Sequence, residues 1–137
     1  MENIKQVIVV RKDLNMRKGK MIAQGAHASM KVFFDLMKLD VQEISMECDT
    51  KKHYVIRLTD QMVEWVEGLF TKVVLGVNSE EELLFLYAKA KENDLPCVLI
   101  TDAGRTEFHG ISTNTCIAIG PANNNAIDKI TGELKLL

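Results

Sequence analysis

A chain of 137 residues has the length of one domain, and its 47% hydrophobic and 26% charged content is that of a soluble globular protein. No apolar run reaches the roughly 18 residues of a membrane span, and the N-terminal apolar run is too short for a signal-peptide core, so a cytoplasmic protein without membrane association is expected. A net charge of −2 excludes a generally basic nucleic-acid binder but leaves room for a local basic edge, and Cys48, Cys97 and Cys116, which lack CxxC spacing, fit reduced thiols.

Residues 4 to 11, IKQVIVVR, end in a continuous β-branched run, which suits a central strand covered on both faces. The chain then turns through Lys12 to Gly19 into a helix predicted to end near Leu39 or Asp40. From Val41 to Thr59 there is no clean period, with His53 to Leu58 as a short extended piece. Asp60 is the expected N-cap of a short helix, Gln61 to Glu67, closed by Gly68 with Trp65 turned inward. Phe70 to Val77 reads as a strand. Asn78 or Ser79 followed by Glu80, Glu81 and Glu82 starts a helix to about Glu92, its acids facing the positive end of the helix dipole. After Pro96, CVLIT is a buried strand, the Asp102 to Thr106 loop follows, and Thr113 to Gly120 is the last strand. Pro121 to Ile130 forms a final helix closed by Gly132, and Leu134 to Leu137 is a docked or edge tail. The alternation predicts an α/β domain with a parallel or mixed sheet of about four strands and helices on both faces. Ligands of such sheets collect beyond the carboxyl ends of strands. The Arg11 to Lys20 turn and the Asp102 to Thr106 loop both follow strands and are expected to meet there.

On a helix advancing about 100° per residue, Lys20, Gln24, His27, Lys31, Asp35 and Lys38 share one stripe. Met21, Ile22, Ala26, Met30, Val32, Phe33, Leu36 and Met37 cover most of the rest, the pattern of a buried helix with one polar seam. Such a seam usually faces water; here its first half sits among Ala23, Gly25, Ala26, Ala28 and Ser29, which admit a ligand or another chain. Arg11, Lys12, Arg17, Lys18 and Lys20 against Asp13 make a local basic edge, and Gly19-Lys20 at a helix start offers amides and an ammonium to a phosphate or oxyanion. Asp102, Arg105 and Thr106 share a tight loop opened by Ala103-Gly104. They form either an Asx turn with an arginine cap or a working set in which Asp102 orients a histidine, Arg105 forks onto a phosphate and Thr106 bonds a carbonyl or water. No G-x-G-x-x-G, G-x-x-x-x-G-K-[ST] or G-x-S-x-G motif is present, and His27, His53 and His109 lack metal-ligand spacing.

Three blocks carry a resemblance: VIVVRKDLNMRKGKMIAQGAHA at 7–28, KVVLGVNSEEELLFLYAKAKENDLPCVLITDAGRTEF at 72–108 and AIGPANNNAIDKITGELKLL at 118–137. In this order and spacing the chain resembles the type 2 peptidyl-tRNA hydrolase family over nearly its whole length. The resemblance implies a single domain over 1–137, folded as a three-layer α/β/α sandwich with a mixed four-stranded sheet. It also implies hydrolysis of the ester between a peptide and the terminal ribose of tRNA, with water as nucleophile and neither cofactor nor metal. Matched position by position, it makes Lys20, His27, Asp102 and Thr106 the catalytic candidates. Arg17, Lys18, Gln24, Lys72 and Arg105 become substrate-binding or tRNA-contacting residues. His27 oriented by Asp102 would serve as base, and Lys20 or loop amides would hold the oxyanion. The chain departs from the family pattern at Arg17, where a small residue is usual, at Glu107 to Gly110, and in a longer variable segment at about 39–59. Two other readings use the same fold: a non-catalytic tRNA- or protein-binding adaptor, and a hydrolase of simple aminoacyl-tRNA, D-configured forms included. A sheet edge or the Leu134 to Leu137 tail is the expected place for a homodimer contact.

Overall fold

In the computed structural model, which describes residues 3–39 and 52–137, the apolar run at the start of the chain becomes strand β1 (Ile4–Arg11), buried from Gln6 onward. Such burial needs strand neighbours on both sides. β1 pairs in parallel with β4 (Lys72–Val77) and antiparallel with β6 (Thr113–Asn123), and β5 (Cys97–Asp102) lies antiparallel on the far side of β6. The sheet order is β4-β1-β6-β5. Only β6 opposes the others, so β1, β4 and β5 end on one edge, at Arg11, Val77 and Asp102.

Alternation along β1 divides the core into two layers. Val7 and Val9 pack with Leu83, Leu86 and Ala90 of α3 (Glu80–Glu92) and Ile127 of α4 (Asn124–Thr131). Ile8 and Val10 face Ala28 and Val32 of α1 (Lys18–Phe34) and Met62 of α2 (Asp60–Glu67). Helices on both faces of a mixed sheet give the expected three layers. Trp65 of α2 is turned inward and donates its indole N–H to the Thr71 carbonyl at 2.8 Å. Ser79 caps α3 by accepting from the Glu82 N–H at 3.1 Å, and the Glu82 carboxylate accepts from the Asn78 N–H in return.

Several boundaries differ from expectation, each for a visible reason. α1 stops at Phe34, because Met37–Leu39 (β2) alternates with a period of two and pairs antiparallel with Tyr54–Ile56 (β3). The cap of α2 is Thr59 rather than Asp60, its hydroxyl accepting from the Met62 N–H at 3.2 Å. β6 continues past Gly120 to Asn123, whose side chain then caps α4. The tail docks on its own chain: Leu136 bridges Leu75, and the Leu137 N–H donates to the Val74 carbonyl at 3.1 Å. Cys48 and most of the variable segment lie outside the described residues.

The larger correction concerns α1. Its buried residues are Gln24, Ala28 and Val32, whereas Ile22 and Met30, expected inside, are 73% and 52% exposed. The polar seam is turned partly into the protein. Small Ala28 lets the helix lie close on the sheet, and Gln24 is buried because its polar atoms are fully partnered. Among the described residues no helix is long and apolar enough to cross a membrane.

Candidate active site

α1 lies across β5 and β6 and runs against the direction of β5, so its first turn stands over Asp102 at the end of that strand. There the Lys20 ammonium donates to Asp102 Oδ1 at 2.8 Å and to Thr106 Oγ1 at 2.9 Å. Gln24 Nε2 donates to the same Oδ1 at 3.3 Å, and the Gly104 N–H to Oδ2 at 2.8 Å. The last contact depends on glycine. Gly104 has φ +81°, and a Cβ there would lie 2.5 Å from the Ile111 carbonyl oxygen. The Lys20 hydrogen bond above all holds the Asp102 carboxyl below the usual carboxylate range. Burial opposes this, while the Gly104 N–H, the Lys20 charge and Gln24 reinforce it. An ammonium has three N–H donors, and Lys20 spends two of them inside the chain.

The network continues under α1. Thr115 Oγ1, fully buried on β6, donates to Gln24 Oε1 at 2.6 Å, and Cys116 Sγ donates to the Gln24 carbonyl at 3.3 Å. A flipped Gln24 amide would turn its oxygen onto the Asp102 carboxylate, so that charge selects the orientation and the Thr115 hydroxyl completes it. Burial pushes the Cys116 thiol up to about 11, leaving it a neutral donor. Thr115 has a signal in the sequence, a hydroxyl within the apolar run of a central strand, but no local pattern gives it a partner. Phe108 was also missed: its ring lies 5.7 Å from Lys20 Nζ and packs on the α1 side of the core. Phe108 and His109 both take positive φ, 63° and 51°, in a single 3-10 turn, a conformation uncommon outside glycine.

Sequence-predicted site residues fall into four groups. Lys20, Gln24, Asp102 and Thr106 converge. Arg17 and Arg105 are exposed beside them and line a cavity of about 390 Å³ with Thr106 and His109. Arg17 is also the N-cap of α1, a position where no side chain caps the first-turn amides. His27 lies on the same seam, exposed, and lines a different cleft with Thr101. No hydrogen bond joins it to Asp102, whose oxygens are taken by Lys20, Gln24 and Gly104. The carboxylate orients the lysine instead of the histidine. Lys18 opens on a separate groove of about 710 Å³ along β4. Lys72 borders that groove from the first residue of β4, at the opposite end of the sheet from Asp102, so it does not join the cluster. Its Nζ sits 3.1 Å from the Phe70 ring centroid, and burial lowers its pKa. Arg11 leaves the basic edge altogether. It is buried, forks onto Asp13 at 3.1 and 2.6 Å, and donates to the Asn114 carbonyl at 3.0 Å. Among the described residues no group of three or more His, Cys, Asp or Glu is placed to hold a metal ion.

The sequence model of the family described as Peptidyl-tRNA hydrolase PTH2 matches residues 4–137. A protein named peptidyl-tRNA hydrolase from Methanocaldococcus jannaschii is 42% identical over 134 residues, covering 98% of this chain and 100% of the relative. Another of that name from Methanococcus maripaludis is 40% identical over 132 residues, covering 96% of this chain and 97% of the relative. A solved structure of a protein of unknown function from Agrobacterium tumefaciens matches with a TM-score of 0.57 over 100% of this chain and 99% of that one. At 16% identity that is a likeness of fold alone.

Proposed function

The chain belongs to the Peptidyl-tRNA hydrolase PTH2 family, and we propose that it hydrolyses the ester joining a peptide to tRNA at the Lys20, Asp102 and Thr106 cluster. One observation carries this assignment: an ammonium fixed by a carboxylate and a hydroxyl, with its third donor left for a substrate oxygen. As water attacks the acyl carbon, charge collects on the carbonyl oxygen, and a pre-placed ammonium stabilises that charge without reorganising. Asp102 and Thr106 hold Lys20 in place, and Gln24, locked by Thr115, steadies Asp102.

The base is a separate question of chemistry. Asp102 is fully engaged and its carboxyl is held low, which makes it a poor proton acceptor. His27, next on the seam and making no hydrogen bond among the described residues, is the group left to take a proton from the attacking water. Arg17, Arg105 and the uncapped first turn of α1 are the proposed seat of the tRNA phosphates, with Lys18 as a flanking contact and Lys72 too distant for the reacting end. A tRNA substrate agrees with a cytoplasmic location. A homodimer has its best support in the apolar groove bordered by Ile22, Met30 and Phe70, since the tail already occupies the β4 edge.

Neither a non-catalytic adaptor nor a D-aminoacyl-tRNA hydrolase is favoured by the family match. Purified protein should release peptide from peptidyl-tRNA in buffer containing a chelator, and Asp102→Ala should slow release by about 100-fold or more. Wild-type protein that binds tRNA and releases nothing would transfer the assignment to the adaptor.

A further inference from the structure

We propose that the apolar cleft between α1 and β5 is the acyl subsite, seating the peptide half of the substrate as an extended chain that leads away from Lys20. This rests on the ester-cleaving reading above and assigns one side of it. The cleft holds about 450 Å³ and is lined by His27, Met30, Phe34, Leu99, Ile100 and Thr101, with the Lys31 and Asp35 pair at its rim. Its lining begins at His27, one seam position on from Gln24, and at Thr101, the residue before Asp102. Because α1 runs against β5, moving from Lys20 through Gln24 to His27 follows the strand back from Asp102 to Thr101 and Leu99.

The substrate has two unlike halves on either side of the scissile bond. The nucleotide half is polyanionic; the acyl half is a chain of neutral amides with varied side chains. The protein is unlike in the same way on either side of Lys20. The cavity toward the loop carries Arg17 and Arg105, whereas in the cleft toward β5 Lys31 is neutralised by Asp35 at 2.8 Å. Phosphates gain nothing in the cleft, and an apolar side chain gains nothing beside the arginines. Within the cleft, Met30 is 52% and Phe34 48% exposed, apolar surface that a bound acyl chain would cover. β5 also lies at the edge of the sheet, and among the described residues no strand pairs with its outer side. Unpaired backbone groups beside an apolar cleft suit an extended peptide, whose main chain pairs with the strand while its side chains enter the cleft.

The test compares two substrates on the same tRNA, one bearing a single N-acetylated amino acid and one bearing an N-acetylated apolar tetrapeptide. Wild type should favour the long acyl group in kcat/KM. Phe34→Glu should lower the ratio of long to short about ten-fold, mainly through KM for the long substrate, and Phe34→Leu should keep the ratio within about two-fold of wild type. Phe85→Glu, the same change of charge on the opposite face of the sheet, should leave the ratio unchanged. If wild type cleaves both substrates and Phe34→Glu lowers them equally or not at all, the acyl subsite is overturned while the hydrolase stands. If wild type cleaves neither, the ester-cleaving reading falls and takes this assignment with it.

Discussion

The two halves of the α1 seam carry the same kinds of residue at the same helical spacing and end in opposite environments. Lys20 and Gln24 lie in a closed half, where two chain segments from far along the sequence supply a carboxylate, a backbone N–H and two hydroxyls. His27, Lys31 and Asp35 lie in an open half, where among the described residues Lys31 pairs with Asp35 four residues on. The cause is the length of β5. The strand ends at Asp102, and the turn from Ala103 to Gly110 folds back over the first turn of α1, while the following turns line the cleft along β5, on whose outer side no strand pairs among the described residues. Identical amphipathic spacing therefore produces a preorganised polar centre at one end and a substrate-facing surface at the other. The lesson is that the covering loop, more than the helix, makes the site.

The most direct way to break this contrast is to treat its two lysines alike. Lys20→Met keeps much of the stem and removes the ammonium. It should lower kcat by about 1,000-fold, the upper range for loss of one preorganised donor to an oxyanion. It should also leave the partly buried Asp102 carboxylate without its main partner, so stability should fall as well. Lys31→Met removes the same charge about three turns further on, from an exposed i,i+4 pair worth about 0.3–0.5 kcal/mol. Its kcat should stay within about two-fold of wild type. Comparable losses from both substitutions would mean that the seam acts as one electrostatic field and that the distinction between its halves is false.

How much of this was legible in the sequence follows from how far apart the interacting residues lie. The β-branched run of β1, the Ser79 cap with its acidic first turn and the Pro96-led strand are local signals, and each produced its element within a few residues. Convergence of the two loops followed from a general rule of α/β sheets and needed no side-chain detail. The buried face of α1 was not legible, because Gln24 becomes an interior residue only through Asp102 and Thr115, 78 and 91 positions away. β2 was absorbed into the helix for a similar reason: three residues are too few to declare a strand until Tyr54–Ile56 is beside them. Arg11 read as part of a basic edge because its neighbours are basic. Its ties to Asp13 and to the Asn114 carbonyl, 103 positions on, turn it into part of the frame.

A pH profile sharpens the contrast by separating the two halves through their titrations. The folded-state pKa of Asp102 is depressed, so its contribution to stability is fully present above the unfolded value of about 3.9. That contribution is lost only as pH falls through the lower folded value. Between about pH 5 and 8 the Asp102 carboxylate therefore stays ionised and adds no slope to kcat/KM. A base that is lost on protonation adds an acid limb to kcat/KM. Wild type should show that limb, and His27→Ala should abolish it, leaving a rate about 100-fold lower and flat down to about pH 5. A limb that survives His27→Ala would assign the base to another group and leave the open half with substrate binding alone.

The smallest expected effect probes how deeply the closed half is braced. Thr115 touches no substrate; it donates to Gln24 Oε1 from the buried middle strand, and so acts as a positioning residue. Thr115→Val keeps the shape and removes the donor. The Gln24 oxygen then loses its short hydrogen bond inside the core, and the amide is no longer locked with its nitrogen toward Asp102. A looser Gln24 costs Asp102 its weakest contact, at 3.3 Å, while the Lys20 and Gly104 contacts remain. Rate should consequently fall about ten-fold in kcat with KM nearly unchanged, because the defect lies behind the reacting centre and away from both substrate halves. Thr115→Ser, which restores the hydroxyl in a smaller side chain, should recover most of kcat even where it lowers Tm. If Thr115→Val and Thr115→Ser lose stability equally and kcat not at all, the hydroxyl serves the fold alone, and the closed half ends at Gln24.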